Sequence, residues 1–215
     1  EADNAVAHRA AQFLGVPSHH VDLVAEGGAL EVNGQGDLLT TRGCLDADTR
    51  NPQLNQSQIE AILRNTLGVE RIHWLTGDLI GDDTDGHIDQ LARFIDSRTI
   101  LTSAPHPDDP NAASFRSLRE QLMALRDRDR RPFRIVDVPL PRRVERQGER
   151  LPACYANFIF VNGAVLVPTF RCPEDRRALA RFRELFHDRA VVPVDASRMI
   201  EGLGALHCLT QQEPL

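Results

Sequence analysis

One pattern occurs three times along this chain: two short apolar runs joined by a turn, then an amphipathic segment, then a single apolar run. This order predicts a β-hairpin, a helix and a third strand. Asn162-Gly163 is the most specific of the turns. The first helix is expected to begin with a capping box of Ser57 and Glu60 and to end at Gly68. The strands, helix and closing strand predicted for each copy are 29–33, 37–41, 57–67 and 71–75; 88–95, 99–102, 110–126 and 133–138; and 157–161, 164–167, 174–186 and 190–194.

Each copy is therefore predicted to be a β-β-α-β module with a right-handed crossover between its parallel strands. Such modules imply an α/β fold in which the modules are arranged around an axis and the helices lie outside. A helix at 4–14 with a strand at 21–24, and a fourth unit that begins at Leu206, are expected to be parts of further modules. We expect an incomplete ring of about three modules, with residues 139–153 as a surface loop.

Composition limits the classes of protein to which the chain can belong. Its 41% hydrophobic and 26% charged residues are ordinary for a globular protein, and its apolar runs are too short to cross a membrane. A net charge of −6 disfavours nucleic acid as a partner and mildly favours a cationic ligand. All 25 basic residues are arginine, so a lysine Schiff base or a P-loop lysine is excluded.

Four scattered cysteines show no C-x-x-C pair, which disfavours a zinc site. A chain of this length does not need disulfides, and so few cysteines fit a reducing cytoplasm. Cys44, Cys154 and Cys172 are interpreted as small buried apolar side chains. Cys208 alone remains a candidate for chemistry.

The repeat predicts where chemistry would take place. Glu26 precedes the first hairpin, whereas His87 and Asp89 lie at the start of the second. Asn157 begins the third hairpin, and Cys208 stands where a fourth would begin. Equivalent positions of modules around one axis face the same centre, so these side chains are expected to converge.

Structural interpretations of the same residues stay open. A His-x-Asp triplet is more often a structural hydrogen bond than a site, and Glu26 followed by two glycines could be a charged turn. If the second hairpin starts as a strand, His87 and Asp89 share one face and Ile88 enters the core. The aspartates from Asp82 to Asp85 lack the ligand spacing of an EF-hand.

A thiol, an imidazole and several carboxylates are suited to attack on a planar guanidinium group. Carboxylates bind a guanidinium in bidentate geometry, and Asp89 with one of the loop aspartates could supply them. The Cys208 thiolate would attack the central carbon, and His87 would protonate the departing ammonia and then activate water. Glu26 would orient His87 and favour its charged form. This chemistry requires neither a metal nor an organic cofactor.

Several motifs along the chain resemble those of the agmatine deiminases, also described as bacterial-type peptidyl-arginine deiminases, in the guanidino-group-modifying superfamily of pentein fold. The similarity covers essentially all 215 residues in the family's order. The motifs are Glu26-Gly27-Gly28, Leu38-Leu39-Thr40-Thr41, Arg50-Asn51-Pro52, Gly81 to Asp89, Tyr155-Ala156-Asn157-Phe158, Asn162-Gly163-Ala164 and Leu206 to Gln212.

The resemblance implies a five-module propeller that converts agmatine to N-carbamoylputrescine and ammonia through an amidino-cysteine intermediate, in putrescine biosynthesis. It implies Cys208 as nucleophile, His87 as acid and base, Glu26 as the partner of His87, and Asp89 as a guanidinium ligand. Asp83 is a further implied substrate contact. The implied partner is a small cationic guanidino substrate, agmatine or an arginine side chain; assembly into a homo-oligomer is left open.

One family motif has no counterpart here: an Arg-Asp-x-Gly-Pro-like segment that carries the first substrate carboxylate. Residues 1–215 are therefore expected to be one domain, the C-terminal part of a pentein-fold catalytic domain without its N-terminal modules, and inactive in isolation. Three alternatives stay open: a peptidyl-arginine deiminase with the same residues, an amidinotransferase that uses an amine in place of water, and an inactive fragment or binding module.

Overall fold

The computed structural model describes residues 5–212, and its elements follow the predicted order. Six helices are present in this range: α1 Val6–Leu14, α2 Arg42–Leu45, α3 Gln56–Leu67, α4 Ile88–Leu91, α5 Ala112–Ala124 and α6 Glu174–Leu185. The strands are β1 Glu31–Val32, β2 Asp37–Thr41, β3 Arg71–Leu75, β4 Ala92–Asp96, β5 Thr99–Ala104, β6 Arg134–Pro139, β7 Glu145–Arg146, β8 Glu149–Arg150, β9 Ile159–Val161, β10 Ala164–Thr169 and β11 Ala190–Asp195. Single 3₁₀ turns lie at Gly27–Ala29, Tyr155–Asn157, Met199–Gly202 and His207–Leu209.

The three modules share one topology, so the predicted repeat is confirmed. In each, an antiparallel hairpin supplies a central strand, and a helix returns the chain to pair a third strand parallel to it. The pairs are β1–β2–β3, β4–β5–β6 and β9–β10–β11. This pairing requires a crossover helix, because two parallel strands cannot be joined by a tight turn.

Helix α3 begins at a different cap from the predicted one. The Asn55 side chain accepts a hydrogen bond from the Gln58 backbone N–H at 3.0 Å, and the Gln58 side chain accepts one from the Asn55 N–H at 2.9 Å. This reciprocal pair is a complete capping box, so the helix starts before Ser57. Its predicted end is confirmed: Gly68 adopts a left-handed conformation, with φ of 67°.

The start of the second hairpin was predicted wrongly as a strand. Residues 88–91 form the single helical turn α4, and strand β4 begins only at Ala92. Ile88 and Leu91 are both fully buried, and their spacing of three suits one face of a helical turn. Short helical turns also precede β1 and β9, at Gly27–Ala29 and Tyr155–Asn157. The repeated unit is therefore turn, hairpin, helix and strand.

Four further expectations need correction or lie outside the described range. No strand forms at 21–24, where the Asn51 side chain binds the Val24 backbone N–H and C=O in place of a neighbouring strand. The surface loop 139–153 contains the hairpin β7–β8. Cys172 is half-buried, and its thiol has a polar neighbour, the Tyr155 hydroxyl at 3.2 Å. Asn4, the predicted start of the first helix, lies outside the described residues.

Helix α5 contacts β5 and β6, and α6 contacts β6 and β11. One continuous core spans the second and third modules and includes Leu39 and Leu75 of the first. A cluster of aromatic rings joins β9 to α6, with ring centroids 5.1–6.1 Å apart. A smaller core forms around the first module. No helix among residues 5–212 is both long and apolar enough to cross a bilayer.

A buried ion pair joins the three modules. The Arg93 Nε of β4 donates to the Glu31 carboxylate of β1 at 2.6 Å, and both side chains are almost fully buried. Arg93 also donates to the backbone oxygens of Ala156 and Phe158 in the third module. The second Glu31 oxygen accepts from the Phe94 N–H at 2.7 Å. Every module therefore contributes a group to this one network.

We predict that Arg93→Met destabilises the chain by about 3–5 kcal/mol, because it leaves the Glu31 carboxylate buried without a cation. Urea unfolding followed by circular dichroism measures the loss. Arg176→Met, at an exposed position of α6, is the matched control and should stay within about 0.5 kcal/mol of the parent chain. Equal losses for the two variants would show that the buried pair does not hold the modules together.

Candidate active site

The turns that precede the hairpins meet at one place. The turn at Gly27–Ala29 contacts both α4 and the turn at His207–Leu209, and α4 contacts the turn at Tyr155–Asn157. Each turn contributes a polar side chain or a glycine to this meeting point. The predicted convergence is therefore observed, although on helical turns in place of strand ends.

Asp89 lies at the centre of the site and is fully buried. Its Oδ2 accepts hydrogen bonds from His207 Nδ1 at 2.8 Å and from Asn157 Nδ2 at 3.2 Å, and it lies 3.6 Å from the Cys208 sulfur. Its Oδ1 has no hydrogen-bond partner among the described residues. A buried carboxylate oxygen without a donor is costly, and a cationic N–H donor would remove that cost.

Asn157 positions the cysteine segment against this carboxylate. Its Oδ1 accepts from the backbone N–H groups of His207 and Cys208, at 2.9 and 3.3 Å. Its Nδ2 donates to Asp89 and, at 3.1 Å, to the Cys208 sulfur. Asn157 is 2% exposed, so one buried amide fixes the thiol, its backbone and the neighbouring carboxylate together.

His87 reaches the same centre because Gly28 has no side chain. A Cβ placed on Gly28 would lie 2.5 Å from His87 Nδ1 and 2.8 Å from Asp89 Oδ2. Both distances are far inside van der Waals contact, and both side chains are too buried to move away freely. The glycine therefore lets an imidazole and a carboxylate approach one backbone position from the same side.

Glu26 is bound mainly by an arginine. Arg50 donates its Nε to Glu26 Oε1 at 2.7 Å and its Nη1 to Asp85 at 2.7 Å. Burial opposes ionisation of Glu26, but the hydrogen bond and charge of Arg50 lower its pKa below the usual value. The other Glu26 oxygen lies 3.9 Å from His87 Nε2, an ion-pair distance too long for a hydrogen bond.

Two polar side chains shape the backbone around the site. Asn51 ties Val24 to Leu45, and this contact fixes the chain just before Glu26. Asp82 accepts hydrogen bonds from Thr84, Gly86 and Gln90, which folds the aspartate loop around one carboxylate. Gly86 closes that loop with φ of 87°, a conformation that glycine adopts without strain.

The Cys208 thiol keeps its proton at neutral pH in the free chain. The residue as a whole is exposed, while its sulfur contacts Asn157 and Asp89. Burial of the thiol, followed by the negative charge of Asp89, raises its pKa from 9.0 to about 11. A cation bound beside Asp89 would offset the negative charge of that carboxylate and stabilise the thiolate, so the arrangement favours the thiolate only when such a ligand is present.

Cys208, His87, Asp89 and Glu26 thus lie together, whereas Asp83 is exposed on the loop and stays a predicted substrate contact. Three further residues lie at this site. The repeat predicted that Asn157 would converge here, because it occupies the module position that His87 and Asp89 occupy in the second copy, but only its contacts show what it binds. Arg50 and His207 were present in the quoted motifs, but only their contacts show what they bind.

Three β-β-α-β modules whose entry turns bring together a thiol, an imidazole and carboxylates define a modular α/β protein with a cysteine-centred site. The chain belongs to the Porphyromonas-type peptidyl-arginine deiminase family, whose model matches residues 1–214. An agmatine deiminase from Pseudomonas fluorescens is 37% identical over 210 residues, which are 89% of this chain and 57% of that protein. The family predicted from the motifs is confirmed.

Solved structures agree with this membership. An agmatine deiminase from Campylobacter jejuni, determined with substrate bound, superposes with a TM-score of 0.89 at 34% identity and covers 97% of this chain and 62% of its own. An agmatine deiminase from Enterococcus faecalis gives 0.90 at 30% identity, over 99% and 63%. The chain therefore spans about six tenths of the length of these relatives. The pentein-type α/β fold is confirmed, and closure into a propeller stays a prediction.

Asp89→Asn is predicted to increase the reactivity of Cys208, because it removes the charge that helps to keep the thiol protonated. The alkylation rate with iodoacetamide at pH 8 should rise on the order of tenfold, measured at Cys208 by peptide mass spectrometry. Asp188→Asn replaces an exposed carboxylate on the α6–β11 loop and should not change the rate. An unchanged or slower rate for Asp89→Asn would contradict the electrostatic coupling.

Proposed function

We propose that the protein in its full length is a deiminase that hydrolyses the guanidinium group of agmatine to a ureido group and releases ammonia. One observation supports this most directly: Asp89 is fully buried beside the Cys208 sulfur and keeps one oxygen without a donor among the described residues. A guanidinium N–H would satisfy that oxygen. The same placement would bring the central guanidinium carbon next to the sulfur.

Substrate binding also prepares the nucleophile. The cationic guanidinium partly neutralises Asp89, which lowers the pKa of the neighbouring thiol from its raised value. The Cys208 proton passes to His87, and the thiolate adds to the guanidinium carbon to give a neutral tetrahedral adduct. Asn157 Nδ2, already 3.1 Å from the sulfur, stabilises the thiolate as it forms.

His87 then donates the proton to the group that leaves. Its imidazolium protonates one amino group of the adduct, the carbon–nitrogen bond breaks, and ammonia leaves an amidino-cysteine cation. Water adds to the same carbon while His87 accepts its proton. The carbon–sulfur bond breaks, which yields the ureido product and the restored thiol. Glu26 stabilises the imidazolium at both stages from its ion-pair distance.

Agmatine is favoured over a peptidyl arginine by the names of the relatives. The Pseudomonas, Campylobacter and Enterococcus proteins are agmatine deiminases, whereas the family model is named for peptidyl-arginine deiminase. The contacts described above concern only the guanidinium group, which the two substrates share. An assay of the full-length protein with each substrate therefore distinguishes them.

The decisive assay offers agmatine and a blocked arginine peptide separately to the full-length protein and measures ammonia and ureido product. We expect turnover of agmatine with equal amounts of both products. Cys208→Ser should lower it by roughly 10³-fold or more, with a folded chain by circular dichroism. Turnover of the peptide alone would indicate a peptidyl-arginine deiminase. Product that forms only with an added acceptor amine, without ammonia, would indicate amidino transfer.

Gly28→Ala is predicted to lower kcat/KM on agmatine by about 100-fold, because the new Cβ pushes His87 and Asp89 from their positions. Ammonia release from the full-length protein measures the effect. Gly202→Ala is the matched control, since a Cβ there meets no atom within 4 Å. If the two variants were equally active, Gly28 could not be the close-approach point of the site.

A further inference from the structure

Three side chains from distant parts of the chain converge behind the proposed catalytic histidine. Glu26 Oε2, Cys44 Sγ and His87 Nε2 all lie within 4.8 Å of one another. The sulfur is 3.6 Å from the carboxylate oxygen, and the imidazole nitrogen is 3.9 Å from it. The residues are separated by 18 and 43 positions in sequence, so no local spacing motif could have predicted the cluster.

The donor atoms of this cluster are available. His87 is 8% exposed, and its Nε2 is buried without a hydrogen-bond partner among the described residues. Cys44 is fully buried as a free thiol beside Glu26. Arg50 binds Glu26 through Oε1 and leaves Oε2 to face the thiol and the imidazole. A buried imidazole nitrogen that faces a thiol and a carboxylate oxygen is a donor set suited to a divalent cation.

The geometry fits a tetrahedral transition metal ion. Zinc bonds of about 2.1 Å to nitrogen and oxygen and about 2.3 Å to sulfur place ligand atoms roughly 3.4–3.7 Å apart. The observed sulfur–oxygen and nitrogen–oxygen distances of 3.6 and 3.9 Å lie within a few tenths of an ångström of these values. The sulfur–nitrogen distance is at most 4.8 Å and would shorten when an ion binds. The Glu26 side chain is 39% exposed, which gives an ion a route from solvent. Asp85 offsets the charge of nearby Arg50, which would otherwise repel the ion.

We propose that Glu26, Cys44 and His87 form a binding site for Zn²⁺ or a similar thiophilic divalent ion, with water as its fourth ligand. One thiolate, one imidazole and one carboxylate form a ligand set that suits zinc better than Mg²⁺ or Ca²⁺, which prefer oxygen alone. Binding forms a zinc–sulfur bond and releases the Cys44 thiol proton to solvent. The site is distinct from the Cys208 thiol, which contacts Asp89 and Asn157.

Occupation of this site would regulate the proposed reaction, and this consequence rests on the proposed function. Zinc bound to His87 Nε2 and Glu26 would prevent the imidazole from becoming the imidazolium that protonates the amino group of the adduct before it leaves as ammonia. The metal-bound and catalytically competent states are therefore mutually exclusive. Cys44 is the residue that provides this regulation, since the proposed reaction does not otherwise use it.

Metal binding by Glu26, Cys44 and His87 is measured on this chain without an activity assay. Cobalt titration under reducing conditions should produce thiolate-to-cobalt charge-transfer absorption and the intense visible bands of tetrahedral cobalt, and zinc should displace the cobalt stoichiometrically. Cys44→Ser should abolish the charge-transfer band and weaken zinc binding about 100-fold in calorimetry. Cys208→Ser is the matched control and should retain both. Loss of the band in Cys208→Ser but not in Cys44→Ser would overturn the assignment.

Inhibition of the reaction by zinc is measured separately on the full-length protein. Ammonia release is titrated with zinc buffered by a chelator, and each variant is compared with its own metal-free rate. The zinc concentration for half-inhibition should rise about 100-fold in Cys44→Ser. If zinc still binds but does not inhibit ammonia release, the proposed regulation is wrong while the metal site is supported. Absence of any agmatine turnover would overturn the proposed function, while the cobalt result would still decide the metal site.

Discussion

The buried pair of Glu31 and Arg93 is the contact on which the arrangement of the modules depends. Neither charge can be removed alone without a large cost, because each is desolvated and each is satisfied only by groups from another module. Arg93 also lies over the Phe158 ring, 4.8 Å from its centroid, so one side chain fixes both polar and aromatic neighbours. Since Phe158 follows Asn157 directly, the same contact sets the position of the amide that holds the cysteine segment.

This docking of the modules also assembles the site. Each module enters its hairpin through a single helical turn, and these turns bring side chains of different chemical types to one point. Asp89 takes part in most of the contacts there: it accepts from His207 and Asn157, approaches the thiol, and has one oxygen without a hydrogen-bond donor among residues 5–212. A single carboxylate thereby raises the pKa of the Cys208 thiol, and in the proposed reaction its pairing with the substrate cation would remove that effect.

Much of the fold could be predicted from the sequence, because hairpin turns and amphipathic helices leave periodic signals over ten or more residues. The entry turns could not, since a pattern such as Ile88-Asp89-Gln90-Leu91 satisfies both a short strand and one helical turn, and packing alone decides between them. The capping of α3 was missed because Asn55 and Ser57 are both good caps and only the contacts identify which one acts. The repeat and the motif resemblance pointed to Cys208, His87, Asp89 and Glu26 as candidates, and the structure brings them together. The contacts of Asn157, Arg50 and Cys44 are not encoded by any linear spacing.

The division of the site among separate modules makes its geometry a sensitive measure of how well they are docked. A shift of one module by an ångström would leave every helix and strand intact while it separated the thiol from Asp89 or the imidazole from Gly28. Chemical competence should therefore be lost earlier on the unfolding path than secondary structure. The reactivity of a single sulfur atom thus reports on the fit between modules that are far apart in sequence.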